Sequence, residues 1–566
     1  MKSLSQLTSL CILLSSAICV SSLATHCRNV PGSNGYPSVA AWSAFNASIS
    51  GRLVDVVPSA EFCARLPGGA CTDAQWGSAL FRNGIPGSME QVNWEQGYDQ
   101  SPPSLCFQNQ TTLCGQGNVP VYSVEAESVA DVQAAIKFAT TNNLRLVIKS
   151  SGHDQLGRST APGALLLRTT ALRNISFTDN FYVGDNNMGP AVTFGSGMPG
   201  HTVYKEGATK GRIVTAGAAA TVCPGGGYLQ GTGHSPLSPL LGLAADNALE
   251  FQIVVASGEL LTVNEDSHPD LFFALRGGGA GSWGVLISAT VKTFPTFNLT
   301  QSIITLGIAN DTAASALATV HARHIHMLDS VRGGQYYYLE KAAGSTVFWI
   351  DTYLPHTTPD EAETILKPFL DEALNVEGVE MISSESTYAD VNDILYDDDD
   401  SVGFYLYMGS RLIPESAYDT PETVGEVYEG LLDAGSQIIL GHIIAGGQVA
   451  ENANISSAVH PAWRTAKTHL ILVNEFTDAP SPADVFTIHR QFQDIQLPIV
   501  EKISGPNAGS YSNEADLLEP NFQTTFFGPN YAKLSAIKSM YDPEDLFIVG
   551  AGVGSERWDQ WGICRV

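Results

Sequence analysis

The chain has 566 residues, of which 44% are hydrophobic and 15% charged, a balance that suits a large packed core and excludes intrinsic disorder. Its length favours two intertwined domains over one ordinary core. With 57 acidic against 29 basic residues the formal charge is -28, which repels phosphate backbones and anionic lipid, so neither nucleic acid nor a membrane is expected as a partner.

Residues 1–24 carry Lys2, an apolar run from Leu10 to Val20 and small residues at Ser22 and Ala24, the pattern of a signal peptide. The sequons at Asn46, Asn109, Asn174, Asn298, Asn310 and Asn454 agree with secretion and N-glycosylation. Residues 25–117 are rich in Gly, Pro, Ser and Cys and read as an irregular, disulfide-stapled arm. Short loops favour Cys63 with Cys71 and Cys106 with Cys114, while Cys27 with Cys564 would join the chain ends. Cys223, in an apolar glycine-rich stretch, reads as a buried free thiol.

From Val121 a β-α-β unit is expected: a strand to Val124, a helix capped by Ser128 with Val132, Ala135, Ile136 and Ala139 on one face, and a strand from Leu144 to Ile148. It ends in Ser150-Ser151-Gly152-His153, a glycine turn where α/β proteins place ligands. Two further glycine clusters follow, PGGGYLQGTGHSPLSPLLG from Pro224 and GGGAGSWG from Gly277. Between them Leu249–Val255 and Leu260–Val263 read as a hairpin turned by Ser257-Gly258. Such backbones can approach phosphates closely, yet none of the clusters matches the dinucleotide fingerprint or the phosphate loop of nucleotide hydrolases.

The segment 298–523 mixes strands and helices in the manner of a separate α+β substrate domain. Strands are expected at Ser345–Tyr353, Val402–Met408, Gln437–Ile444 and His469–Val473, with a helix from Pro359 to Ala373. The run Asp397–Asp400 reads as a solvated loop, and no metal site is expected. In the last segment, 524–566, Tyr531, Leu534, Ile537 and Tyr541 share a helical face ahead of Pro543.

Four ordered blocks, IKSSGHDQLGRS (148–159), GGGYLQGTGHSPLSPLLGLAADNALEFQIVVASG (225–258), DLFFALRGGGAGSWGVLISATVKTFP (270–295) and FFGPNYAKLSAIKSMYDPEDLF (526–547), resemble fungal berberine-bridge-enzyme-like oxidases of the vanillyl-alcohol-oxidase type, often labelled isoamyl alcohol oxidases. The resemblance implies an α+β fold: a PCMH-type FAD-binding domain of two α/β subdomains at 118–297, and a substrate domain with an antiparallel sheet flanked by helices. It further implies FAD joined covalently to His153, with Ser150, Ser151, Gly152, Asp154, Gly157 and Ser159 along the pyrophosphate and flavin. By the same resemblance Gly226, Gly227, Tyr228, Gly231, Gly233, His234, Ser235, Gly242 and Asp246 contact the cofactor. Ser282, Gly284 and Val285 would lie near its adenine, and Asn530 with Tyr531 would return to the flavin. The cysteine that forms a second flavin link in some members aligns with Ala220, so one link is expected, with a second through Cys223, three residues on, as the alternative. Thr232 stands where relatives commonly carry glycine, and Ala280 interrupts the third glycine cluster.

Such a flavoprotein is expected to be an oxidase that turns an alcohol into a ketone or aldehyde, with O2 as final acceptor. The substrate could be a fungal secondary metabolite. An oligosaccharide oxidase, or a cyclase or binding protein whose FAD is not a redox partner, are the alternatives. Candidates for the base or for substrate contact are Glu451, His442, and the pair Tyr405 and Tyr407 two apart on one strand face. Arg464 reads as a structural or domain-interface residue.

Overall fold

The expected β-α-β unit is present: strand Tyr122–Glu125, helix Val129–Thr141 and strand Leu146–Lys149. The computed structural model describes residues 27–108, 114–342, 345–476 and 479–566, so the expected signal peptide and the sequon at Asn109 lie outside the described residues. Ser128 caps the helix by accepting from Asp131 N at 3.3 Å, and Val132, Ala135, Ile136 and Ala139 are buried on its inner face. Both strands run parallel to Leu165–Arg168, whose four residues are all buried, as a strand covered on both faces must be. Leu53–Asp55 pairs antiparallel with Tyr122–Glu125 and brings the N-terminal arm onto this sheet.

A second, antiparallel sheet has five strands in the order Ile175–Val183, Asn186–Gly195, Val285–Lys292, Ala248–Val254 and Leu260–Val263. The last two form the expected hairpin. The largest sheet is wholly antiparallel, seven strands ordered Val379–Asp390, Asn298–Ile308, Ser345–Pro355, Gly334–Ala342, Ile438–Ile443, Ala466–Glu475 and Leu406–Pro414. Helices Asp311–Arg323, Pro359–Ala373 and Pro421–Asp433 cover one face with buried Leu317, Phe369 and Leu431. The fold is therefore α+β. One apolar cluster runs from Phe251 and Trp283 through Ile350 and Phe369 to Leu534, so the smaller sheets and the large sheet share a core. Among the described residues no helix is long and apolar enough to cross a membrane.

Three expectations need correction. The arm is not irregular throughout: Val39–Ser48 is a helix capped by Ser38, and its Trp42 and Phe45 stack against Phe138. The strand expected from Val402 begins only at Leu406, because residues 402–404 pair instead with the arm, Val402 N donating to Gly77 O and Gly403 N to Glu90 O. The acidic run is only partly a solvated loop. Asp399 accepts from Leu80 N, and Asp400 accepts from Ala220 N and Thr221 N, each at 2.8 Å. Disulfides join Cys27 to Cys564, Cys63 to Cys71 and Cys106 to Cys114, and Cys223 is a buried free thiol.

Candidate functional site

The turn that follows strand Leu146–Lys149 is wound tightly by its own polar groups. Asp154 accepts from Ser159 N at 2.6 Å, Ser159 Oγ at 2.8 Å and Leu156 N at 3.2 Å, closing residues 154–159 into a compact loop. Gly157 takes φ +68°, and a Cβ there would stand 2.5 Å from the ring of Trp94 in the arm. His153 projects from this turn with 22% of its side chain exposed, its Nδ1 2.5 Å from Glu90 Oε2 but off the hydrogen-bond line. Burial alone would lower the imidazole's pKa; the Glu90 carboxylate outweighs it, with help from Asp400 and Glu514, and lifts it to about 9.

His153 opens into a cavity of about 580 Å³ between the smaller sheets and the seven-stranded sheet. On the first side its wall is formed by Ser150, Ser151, Gly152, Asp154, Ser159, Gly226, Gly227, Tyr228, His234 and Gly284. Gly226 permits close approach, since a Cβ there would lie 2.7 Å from Ser150 Oγ. The thiol of Cys223 is also in the wall, pushed up by burial to about 12, whereas Ala220 is not and gives its N–H to Asp400.

The opposite wall comes from the large sheet. Tyr336, Tyr338, Trp349, Asp351, Tyr353 and His442 face the cavity from three adjacent strands. Asp351 is 6% exposed; it accepts from Tyr353 OH at 2.7 Å and from Gln301 Nε2 at 3.0 Å. Burial raises its carboxyl to about 6 in spite of these donors, which favour the anion. His442 is buried and held down to about 3, by burial first and His234 second.

His234 Nε2 lies 3.1 Å from Glu514 Oε2, and Glu514 also faces the cavity. Burial pushes the Glu514 carboxyl up, but the His234 charge and hydrogen bond prevail and bring it to about 2.

Other expected site residues stand elsewhere. Glu451 is half exposed and paired with Arg332 at 2.6 Å, outside the cavity. Tyr405 and Tyr407 are buried against the arm, Tyr405 beside Phe107 and Tyr407 edge-on to Trp94, and neither is in the wall. Gly157, Gly231, Gly233 and Ser235 stand behind the lining. Gly242 and Asp246 lie at the junction with the large sheet, where Asp246 pairs bidentately with Arg464 at 2.7 and 2.9 Å. Ser282 and Val285 are buried behind Gly284. Asn530 donates to the carbonyls of Ala458 and Val459, and Tyr531 to Glu556, so both brace the C-terminal segment rather than the cavity. Reading the sequence missed Glu90, Asp351, Tyr353, His469 and Glu514. Asp351 alone carried a visible signal, a charge after the apolar run Val347-Phe348-Trp349-Ile350.

The cavity suits a large polar cofactor, and the Arg158 guanidinium in its lining suits an anionic part of one. Its glycine backbones leave room, and Gln155 Oε1, Ser196 Oγ and Gln230 Oε1 line it as buried polar atoms without partners among the described residues.

Comparison with known proteins agrees with this geometry. Residues 120–264 match a family model described as an FAD binding domain, and residues 510–554 match one described as berberine and berberine like. An uncharacterized FAD-linked oxidoreductase of Arthroderma benhamiae is 34% identical over 95% of this chain and 96% of its own length. The VAO-type flavoprotein MtVAO615 from Myceliophthora thermophila C1 is 30% identical, with a TM-score of 0.84 over 96% of this chain and all of its own. At 21% identity, the glucooligosaccharide oxidase of Acremonium strictum shares the fold, with a TM-score of 0.63 over 77% of this chain and 91% of its own; its FAD is described as 6-S-cysteinyl and 8α-N1-histidyl.

Proposed function

Because this chain belongs to the berberine-like FAD-linked oxidoreductases, we propose that it oxidises the CH–OH group of a small organic alcohol to a ketone or aldehyde, reducing O2 to H2O2. The observation that carries this reading is Asp351, a buried carboxylate facing the same cavity as His153 and the glycine cradle. Bound FAD supplies the two-electron acceptor, and the protein supplies orientation and proton transfer. With its carboxyl raised to about 6, Asp351 is an anion at neutral pH yet a far better proton acceptor than an ordinary aspartate. Tyr353 and Gln301 hold it in place from one side, and the rings of Tyr336, Tyr338 and Trp349 form an apolar wall for the substrate's carbon skeleton.

His153 is the residue that holds FAD covalently in this proposal. Glu90, beside Nδ1, would orient the imidazole toward FAD by its charge. One link is proposed, as the aligned position is Ala220; Cys223 in the wall is the thiol from which a second would form. The three disulfides support passage through an oxidising secretory route.

The decisive experiment adds a panel of alcohols and sugars to the anaerobic yellow protein, then measures peroxide on admitting air and maps flavin-bearing peptides by mass. Bleaching by an alcohol, peroxide release and flavin on the His153 peptide are expected. A spectrum that no donor bleaches defeats the redox reading in favour of a cyclase or binding protein. Bleaching by oligosaccharides alone moves the substrate class, and flavin on a peptide lacking His153 defeats the attachment.

A further inference from the structure

Four side chains that the proposed reaction does not use converge at the end of the cavity. His442 and His469 are directly opposite partners in the antiparallel pairing of Ile438–Ile443 with Ala466–Glu475, so their side chains rise from the same face. His234 reaches them from the glycine loop and Glu514 from the turn after Tyr511. We propose that His234, His442, His469 and Glu514 form a binding site for one divalent transition-metal ion of the zinc class.

The geometry fits. The ring centroids are 5.4 Å apart for His234 and His442, 5.8 Å for His234 and His469, and 6.0 Å for His442 and His469. Three imidazoles on a tetrahedral ion, with Zn–N bonds of about 2.0 Å, have ring centres about 5.2 Å apart. The four ligand atoms lie within 4.8 Å of one another, against an edge of about 3.3 Å in such a tetrahedron. Closing that gap takes shifts of up to about 1.5 Å, shared between Glu514, the least buried of the four, and rotation of the His442 and His469 rings.

Chemistry also favours a cation. Neither nitrogen of His442 or His469 has a hydrogen-bond partner among the described residues, although the two residues are 7% and 0% exposed, and His234 Nδ1 has none either. Leaving so many buried nitrogens unpaired is costly, and a metal ion satisfies one on each ring. Three imidazole nitrogens and one carboxylate match a zinc-type donor set, and the net charge of -28 draws cations toward the protein. A second group, His326, Asp329 and Glu415, lies on the surface, about half exposed; His326 already bonds Asp329 at 2.8 Å, so it reads as surface pairing.

His234, His442 and Glu514 line the cavity while His469 does not, so the ion would sit in the wall with its free position toward the cavity. There it would take a hydroxyl or carbonyl oxygen, a consequence that rests on the alcohol-oxidase reading. Metal binding itself does not.

The test uses the flavin-loaded protein, stripped with a chelator and equilibrated with Zn2+ or with Co2+. Metal per chain is counted by mass spectrometry, and Co2+ is read by its visible bands in the red, clear of flavin. One Zn2+ per chain and tetrahedral Co2+ bands are expected. Losing a direct ligand should cost at least what losing its outer partner costs, roughly 10–100-fold in affinity, so His442→Ala, His469→Ala and Glu514→Gln should each weaken binding by that much or more. His326→Ala should bind as the parent does. A parent protein without stoichiometric metal, or variants that bind as it does, would overturn the site. Should the variants fail to fold, judged by flavin content and melting, the parent's Co2+ spectrum decides alone: tetrahedral bands support the site and their absence removes it. No step requires turnover, so failure here and failure of the alcohol reading are told apart.

Discussion

Replacing Asp351 by Asn separates the catalytic from the structural consequence of burying a carboxylate. The folded-state value of about 6, against 3.8 in a free side chain, means that ionised Asp351 weakens the fold. The sign follows from proton binding: a folded-state pKa above the unfolded one stabilises at low pH, and that advantage disappears as pH rises through about 6. A gap of this size is worth about 3 kcal/mol in full, of which roughly 2.4 kcal/mol falls between pH 4 and pH 8. Asn carries no charge, so it escapes this loss, although its amide places a donor opposite Gln301 Nε2 or Tyr353 OH at about 1 kcal/mol. Asp351→Asn should therefore be slightly less stable than the parent at pH 4 and about 2 kcal/mol more stable at pH 8. Urea unfolding of the flavin-loaded protein at both pH values measures the difference. In stopped flow the parent's flavin-reduction rate should rise with pH through about 6, and the variant's should lose that dependence and fall roughly 100-fold or more. A stability difference that stays constant from pH 4 to pH 8, together with an unchanged rate, would refute the role given to Asp351.

Arg464→Met strands the Asp246 carboxylate, whose side chain is 1% exposed, and should cost about 3–5 kcal/mol in urea unfolding. Glu451→Ala removes only a half-exposed ion pair with Arg332, so flavin reduction should be unchanged and stability should fall by less than about 1 kcal/mol. A large rate loss there would restore Glu451 as a candidate base. Thr232 holds φ +112°, a conformation hostile to a β-branched residue, and Thr232→Gly should stabilise the protein by about 1 kcal/mol, read as a higher melting temperature. A lower melting temperature would show that the Thr232 side chain holds more than its strained backbone loses.

Local structure was legible where one signal dominated. The helix at Pro359–Ala373 starts and stops as expected because Thr358 and Glu361 form a capping box and Pro359 occupies the first turn. The histidine turn was equally plain, since glycine conformations and Asp154 define it within ten residues. Val402–Phe404 looked like a strand because its apolar residues suit one, but tertiary pairing with the arm claimed that backbone. Glu451, a candidate base, stands outside the cavity for a related reason: it follows Gly446 and Gly447. Those glycines have positive φ and lead into a short helix, Gly447–Glu451, which turns Glu451 outward to Arg332. The histidine cluster was beyond sequence reading: His234 and Glu514 are 280 residues apart, and only the register of two strands sets His442 opposite His469.

The arm, which carried no recognisable chemistry, turns out to shape the cofactor end of the cavity. Glu95, buried beside Arg82 at 2.8 Å, accepts from Ser59 N, Ser59 Oγ and Met89 N, tying three separated parts of the arm to one carboxylate. That network fixes the chain on both sides of Glu90, and Glu90 N in turn donates to Gly152 O at 3.1 Å. Trp94 completes the support, packing against Gly157 and donating to Gln155 O at 3.0 Å. The charge that lifts His153 to about 9 is thus held by residues more than 50 positions upstream, stapled locally by Cys63–Cys71 and Cys106–Cys114. Glu90 is 2% exposed and its Oε1 accepts from Thr221 Oγ1 at 3.3 Å, so the arm's packing fixes where that carboxylate stands beside the imidazole. His153, with Glu90 behind it on the arm side, and Asp351, with Tyr353 on the large sheet, then face one cavity from independent supports. On the proposed reading, these separate supports would let a substitution beside His153 leave Asp351 undisturbed, and the reverse.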